Sequence, residues 1–138
     1  MIESASVGVF ALIVVRKQIV LVRHAYGTQG LSLPGGGLAT GETPDIAIRR
    51  EVFEETGIDV PLLRHIGTFF LRKSAGVVFL FFGSASIAEK ASDSLEEISE
   101  IILADSSKLP IDIYPAQRKL IERWSTNNLG DENEFHLL

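Results

Sequence analysis

Between Thr43 and Gly57 lie thirteen residues that read as one helix, and that helix carries Glu51, Glu54 and Glu55 at i, i+3 and i+4. Thr43 suits the N-cap because its hydroxyl accepts an orphan backbone N–H, Pro44 is preformed for the first helical position, and Gly57 supplies the stop. At about 100° per residue the three carboxylates fall on one arc. Ile46, Ile48, Val52 and Phe53 are expected on the opposite arc, buried against the rest of the chain. Like charges at this spacing each cost a helix roughly a few tenths of a kcal/mol and raise one another's pKa, so a positive counter-charge is required. Arg50 offsets part of the repulsion. A hard divalent cation is the better match, since Mg2+ favours oxygen ligands and commonly joins carboxylates to phosphates. For a bare E-x-x-E-E pattern the alternative is a solvated acidic face supported by Arg50.

The remaining pattern is strand-rich. Val7–Val15 is nearly unbroken in Val, Ile and Phe, as in a strand buried on both faces, and residues 19–23 follow it across Arg16-Lys17-Gln18 as a hairpin. A polar loop, residues 24–30, precedes a short apolar stretch at 31–33, which runs into Pro34-Gly35-Gly36-Gly37. Those glycines let the backbone approach a ligand closely. Residues 66–71 and 77–82 flank 72–76 as a second hairpin, residues 98–103 read as another strand, and residues 115–124 as a closing helix. In that helix Leu120, Ile121 and Trp124 share one face. From Asn127 the tail is polar and acidic until Phe135. Strands interleaved with two helices place the chain in the α/β (α+β) class, a mixed sheet with a helix on each side. With 138 residues, 46% of them hydrophobic, one domain over 1–138 is expected.

Composition removes several function classes. A formal charge of -5 lacks the cationic field of a non-specific nucleic-acid binder, so no DNA or RNA polymer is expected as a partner. The absence of cysteine eliminates disulfides, thiolate nucleophiles and Cys-ligated zinc. The apolar runs are far shorter than the ~20 residues that span a bilayer as a helix. No positive charge precedes the first apolar run, unlike a secretory signal, so a soluble cytoplasmic protein is expected, with monomer and homodimer both open.

Two better-known glycine signatures fail. Glu42 follows Gly36-Gly37-Leu38-Ala39-Thr40-Gly41 where a Walker loop needs lysine, and Thr40 stands in place of the last glycine of a dinucleotide fingerprint. What remains is Gly36, then Glu42 after five residues, then Arg50-Glu51-Val52-Phe53-Glu54-Glu55-Thr56-Gly57-Ile58 after seven. This resembles a complete Nudix box. Chance would place such a match in the chain with odds on the order of one in ten million. The flanking strands and last helix are also similar to a small Nudix domain, whereas the tail is not covered.

The resemblance implies an α/β/α sandwich and a Mg2+-dependent or Mn2+-dependent pyrophosphohydrolase acting on a nucleoside diphosphate linked to another group. It implies Glu51, Glu54 and Glu55 as metal ligands, the latter two nearest the catalytic ions, with the Gly35 carbonyl as a backbone ligand. Glu42 and Arg50 would orient the cluster. Relatives often add a carboxylate after the second hairpin. The candidates here are Glu96, Glu97 and Glu100, with Glu100 preferred, and an ordinary surface glutamate is the alternative. Arg23 and His24 close the second predicted strand near the glycines and are candidates for a substrate phosphate, ahead of Arg72 and Lys73, although such residues more often end strands in solvent. Tyr26, in the open loop, is the aromatic candidate for substrate stacking; Phe69, Phe70 and Trp124 are more readily explained as core. A small nucleotide, by preference a nucleoside triphosphate or a related compound, is the expected substrate. The alternatives are a nucleoside diphosphate sugar or ADP-ribose, whose dedicated relatives often carry a proline after the box that is not found here, and a non-catalytic nucleotide sensor.

Overall fold

The computed structural model describes residues 6–25, 27–86, 98–131 and 134–138. Strand β1 (Val7–Val15) turns into β2 (Gln18–His24) through Arg16 and Lys17 alone, with φ of 51° and 68° and Val15 opposite Gln18. Two consecutive left-handed residues match the right-handed twist of the strands they join. The sheet is completed by β3 (Leu31–Ser32), β4 (Gly35–Gly37), β5 (Arg64–Leu71), β6 (Gly76–Ser84), β7 (Ile98–Ala104) and β8 (Phe135–Leu137). Its order is β3-β2-β1-β6-β5-β8, with β4 also on β1 and β7 also on β2. The β1/β6 and β5/β8 pairs are parallel and the others antiparallel, so the sheet is mixed.

Period-two alternation divides the core between two helices, α1 (Pro44–Thr56) and α2 (Pro115–Ser125). Val9, Ala11, Ile13 and Val15 of β1 pack with Ala47, Ile48 and Val52 of α1. On the other face Leu12, Ile19 and Leu21 pack with Leu120 and Ile121 of α2. Because both faces are covered, β1 reads as a continuous apolar run. Among the described residues no helix is long and apolar enough to cross a membrane.

Helix α1 has the expected limits, and Gly57 closes it at φ 75° with its N–H on the Phe53 carbonyl. Thr43 departs from its expected role. Its backbone is extended, but its hydroxyl donates to Asp45 and caps no helix N–H. The burial pattern of α1 also corrects the sequence expectation. Ile46 and Phe53 are 57% and 51% exposed, and the sheet-facing residues are Ala47, Ile48, Val52, Glu55 and Thr56. Residues 47/48, 51/52 and 55/56 form one stripe at helical period, so docking the small Ala47 on the sheet carries Glu51 and Glu55 to that side.

Three short strands escape the sequence reading, among them β3 in the apolar stretch at 31–33. The glycine run is itself a strand, with Gly35, Gly36 and Gly37 opposite Phe10, Val9 and Gly8, on the edge of β1 that β6 leaves open. The end of the tail adds β8 to β5, where Leu138 donates its N–H to the Phe70 carbonyl and Phe135 meets the Phe70 ring edge-on.

Candidate active site

The site forms where α1 crosses β4. A Cβ at Gly35 would lie 2.0 Å from the Val9 carbonyl oxygen, and its φ of 155° is one that side chains disfavour. A Cβ at Gly36 would lie 2.9 Å from Oε1 of Glu51. Bare backbone therefore lets the acidic side of α1 lie directly on the strand. Glu55, 4% exposed, takes the Gly35 N–H at 2.6 Å on one oxygen and faces Nε2 of His24 at 3.2 Å on the other. A buried carboxylate is tolerable because it is bonded on both oxygens.

Arg50 is the hub of the remaining acids. Its Nε and one terminal nitrogen grip both oxygens of Glu42 at 2.7 and 2.8 Å, the bidentate geometry that makes such pairs strong. Its other terminal nitrogen stands 3.1 Å from Glu51 and 3.1 Å from Glu54. The Arg50 bond, reinforced by the Ala39 N–H at 2.7 Å, lowers the Glu42 pKa to about 2. The same bond to Glu42, followed by the charge of Glu51, raises the Arg50 pKa. Glu54 is the most solvent-accessible of the three helix carboxylates, its side chain 54% exposed against 16% for Glu51 and 6% for Glu55.

Among the described residues no three His, Asp or Glu side chains converge with metal-binding geometry, because a guanidinium nitrogen stands between Glu51 and Glu54. That arrangement is itself a test of fit. Two carboxylates already point at one cationic centre, beside a strand whose glycine leaves the space a Cβ would fill. The side-chain donors at hand, the carboxylates, are hard oxygens, as Mg2+ and Mn2+ prefer. The residues fit a divalent cation.

Of the other described candidates, His24 meets this cluster at Glu55, whereas Arg23 and Glu100 pair with each other. Glu100 sits opposite Arg23 in the β2/β7 register and accepts its Nε–H at 2.8 Å. Arg23 follows Ile19 and Leu21 on the α2 side, so this pair is on the opposite face of the sheet from α1. Arg23 also bonds the Gln29 carbonyl at 2.6 Å and Asp112 at 2.7 Å; Glu100 and Asp112 raise its pKa, and the Arg23 guanidinium in turn holds Asp112 below the usual carboxylate range. Arg23, Thr28, Gln29, Asp112 and Tyr114 line a cleft of about 470 Å³. Tyr114 bonds the Thr28 hydroxyl at 2.6 Å and accepts the Gly30 N–H at 3.0 Å. His24, the next residue on β2, reaches the α1 side and meets Glu55. Tyr26, Glu96 and Glu97 lie outside the described residues. Arg72 and Lys73 fall at the β5–β6 turn, among another group of cations.

Sequence reasoning missed Asp112 and Tyr114, whose distance along the chain from Arg23 leaves no local signal. The burial of Glu55 was detectable, since Glu51 and Glu55 continue the stripe of Ala47, Ile48 and Val52.

Comparison with known proteins matches residues 4–124 to the NUDIX domain model. A protein of Bacillus subtilis, which carries the provisional name 8-oxo-dGTP diphosphatase, is 28% identical over 126 residues, covering 91% of this chain and 83% of that one. The NAD-capped RNA hydrolase NudC of Photobacterium profundum is 31% identical over 102 residues, 72% of this chain and 38% of that one. The crystal structure of a MutT protein from Methanosarcina mazei Go1 superposes with a TM-score of 0.74 at 26% identity, covering 93% of this chain and 99% of that one.

Proposed function

The chain belongs to the NUDIX family of hydrolases, and on that premise we propose that it is a divalent-metal-dependent pyrophosphohydrolase of a small nucleotide, by preference a nucleoside triphosphate. The observation that carries this reading is the convergence of Glu51 and Glu54 on one cationic point, each 3.1 Å from the same Arg50 nitrogen, beside the bare backbone of Gly36. A diphosphate is anionic and so is this face of α1; only positive charge between them lets the two approach. The likeness to a Bacillus subtilis protein named for 8-oxo-dGTP supports a nucleoside triphosphate.

Glu51, Glu54 and Glu55, with the Gly35 carbonyl, would hold Mg2+ or Mn2+. Bound there, the cation supplies neutralisation of the phosphoryl oxygens and a more acidic water. The chain's own groups do the rest. Glu55, pinned between the Gly35 N–H and His24, sets the spacing of α1 from β4. Arg50 keeps its grip on Glu42, which anchors the loop before α1, and so orients Glu51 and Glu54. A solvent-accessible glutamate is the group that accepts the proton of the attacking water; Glu54 has that exposure. As the water oxygen bonds to phosphorus, the bridging P–O bond breaks and its electron pair leaves with the departing phosphate.

The test is a Mg2+-dependent screen of nucleoside triphosphates, dinucleoside polyphosphates and nucleotide sugars, with products identified by mass and the best substrate repeated in oxygen-18 water. Hydrolysis that vanishes on chelation is expected. Binding without hydrolysis at any alkaline pH would replace the enzyme with a nucleotide sensor.

A further inference from the structure

Four cations that the catalytic reading does not use gather on the α2 side. Arg72 and Lys73 come from the turn between β5 and β6, and Lys119 and Arg123 stand at i, i+4 on α2. They border two adjoining cavities of about 350 and 450 Å³, both lined by Arg72, Lys119 and Leu138. Arg23, Arg49 and Arg50 each hold a carboxylate. In contrast, among the described residues no carboxylate forms an ion pair with any of these four. Arg123 is positioned by other means, its guanidinium 5.6 Å from the Phe69 ring centre and bonded to the Leu137 carbonyl at 2.9 Å. Among the described residues lining these cavities Glu122 is the one acid, which leaves a local surplus of positive charge in a chain whose net charge is -5. Like charges at i, i+4 oppose the helix. A multiply charged anion would remove that repulsion and use the ammonium, guanidinium and Ser74 hydroxyl donors that surround the cavities.

We propose that Arg72, Lys73, Lys119 and Arg123 form a second anion site, on the sheet face opposite α1, for an oligophosphate such as pyrophosphate or tripolyphosphate. Two adjoining cavities, lined by cations from two elements, favour several linked phosphates over one. The site is independent of the proposed hydrolysis, because its residues lie on the α2 side and the catalytic carboxylates on α1.

Calorimetric titration of tripolyphosphate into the full chain in EDTA separates the two. Without a dication the acidic side of α1 repels the anion, so binding heat reports the basic site even if no nucleotide is ever hydrolysed. One-to-one binding is expected, weakening as ionic strength rises from about 0.01 to about 0.15 M and the Debye length shrinks from ~30 to ~8 Å. Lys119→Glu and Arg72→Glu should each weaken it about tenfold or more, ~1.4 kcal/mol. Lys108→Glu, the same charge change on a remote turn, should not. Should the α2 variant fail to fold, Arg72→Ala with Lys73→Ala on the exposed turn gives the same reading. Absence of heat in EDTA, equal affinity for orthophosphate, or equal loss in Lys108→Glu would overturn the proposal.

Discussion

Gly35 and Gly36 are neighbours with opposite consequences. At Gly36 the three atoms nearest an added methyl all belong to the Glu51 carboxylate, Oε1 at 2.9 Å, Cδ at 3.0 Å and Oε2 at 3.1 Å. An ordinary carbon contact of roughly 3.5 Å is restored if that flexible group retreats by about half an ångström. The fold absorbs this, but the site does not. A misplacement of about 1 Å in a catalytic constellation costs on the order of 10²-fold in rate, so Gly36→Ala should lower turnover by roughly ten- to a hundredfold. Its melting temperature should stay within about 4 °C of wild type, the equivalent of ~1 kcal/mol. At Gly35 the methyl meets the Val9 carbonyl oxygen at 2.0 Å, on the central strand, and the residue would be forced into φ 155°. Strain of about 1–3 kcal/mol adds to a backbone displacement of similar cost. Gly35→Ala should therefore melt roughly 10 °C lower or fail to fold. Thermal melts by circular dichroism, with Mg2+-dependent turnover of the best substrate from the nucleotide screen, read both quantities. If Gly36→Ala kept wild-type turnover, the placement of Glu51 against β4 would be irrelevant to chemistry. If it melted as low as Gly35→Ala, the clash would be structural.

Other expectations follow from the same geometry. Glu54→Gln removes one charge from an exposed position and should reduce turnover by several orders of magnitude while leaving the thermal melt unchanged; an active Glu54→Gln enzyme would remove that residue from the cation site. The Glu42 pKa is lowered to about 2 in the folded chain from an ordinary 4.5, so its pairing with Arg50 stabilises the fold above pH 4.5. That contribution is lost as pH falls toward 2. The melting temperature of Glu42→Gln should fall less steeply than wild type across that window, and parallel profiles would contradict the assignment. Glu100→Gln weakens a pair with Arg23 on the α2 side, so turnover should change less than about tenfold, well below the loss for a first-rank metal ligand. A loss as deep as that of Glu54→Gln would return Glu100 to the catalytic set.

Long, strongly patterned elements were legible from sequence. Val7–Val15 and Pro44–Thr56 have the expected limits because an unbroken β-branched run and a Pro-to-Gly bracket act locally. What escaped depends on partners distant in sequence. Three glycines have no side chains to announce a strand, and β4 exists because β1 offers Gly8 to Phe10 as a template. The three residues of β8 are too few for a period, and their pairing with Thr68 to Phe70 is purely tertiary. Within the candidate site, the clustering of the acids was readable and their unequal exposure was not. Glu51, Glu54 and Glu55 share a spacing rule, yet the direction from which the sheet approaches α1 buries one, covers most of another and leaves Glu54 half in water.

Because β4 is bonded to β1, and β1 is clasped along its other edge by β6, the glycine strand cannot detach without exposing the middle of the sheet. Its ladder amides should exchange with deuterium only through openings close to the global one. Any plasticity needed to admit different substrates must then come from the side chains of α1 and from the loop after β2, while the floor beneath them stays rigid.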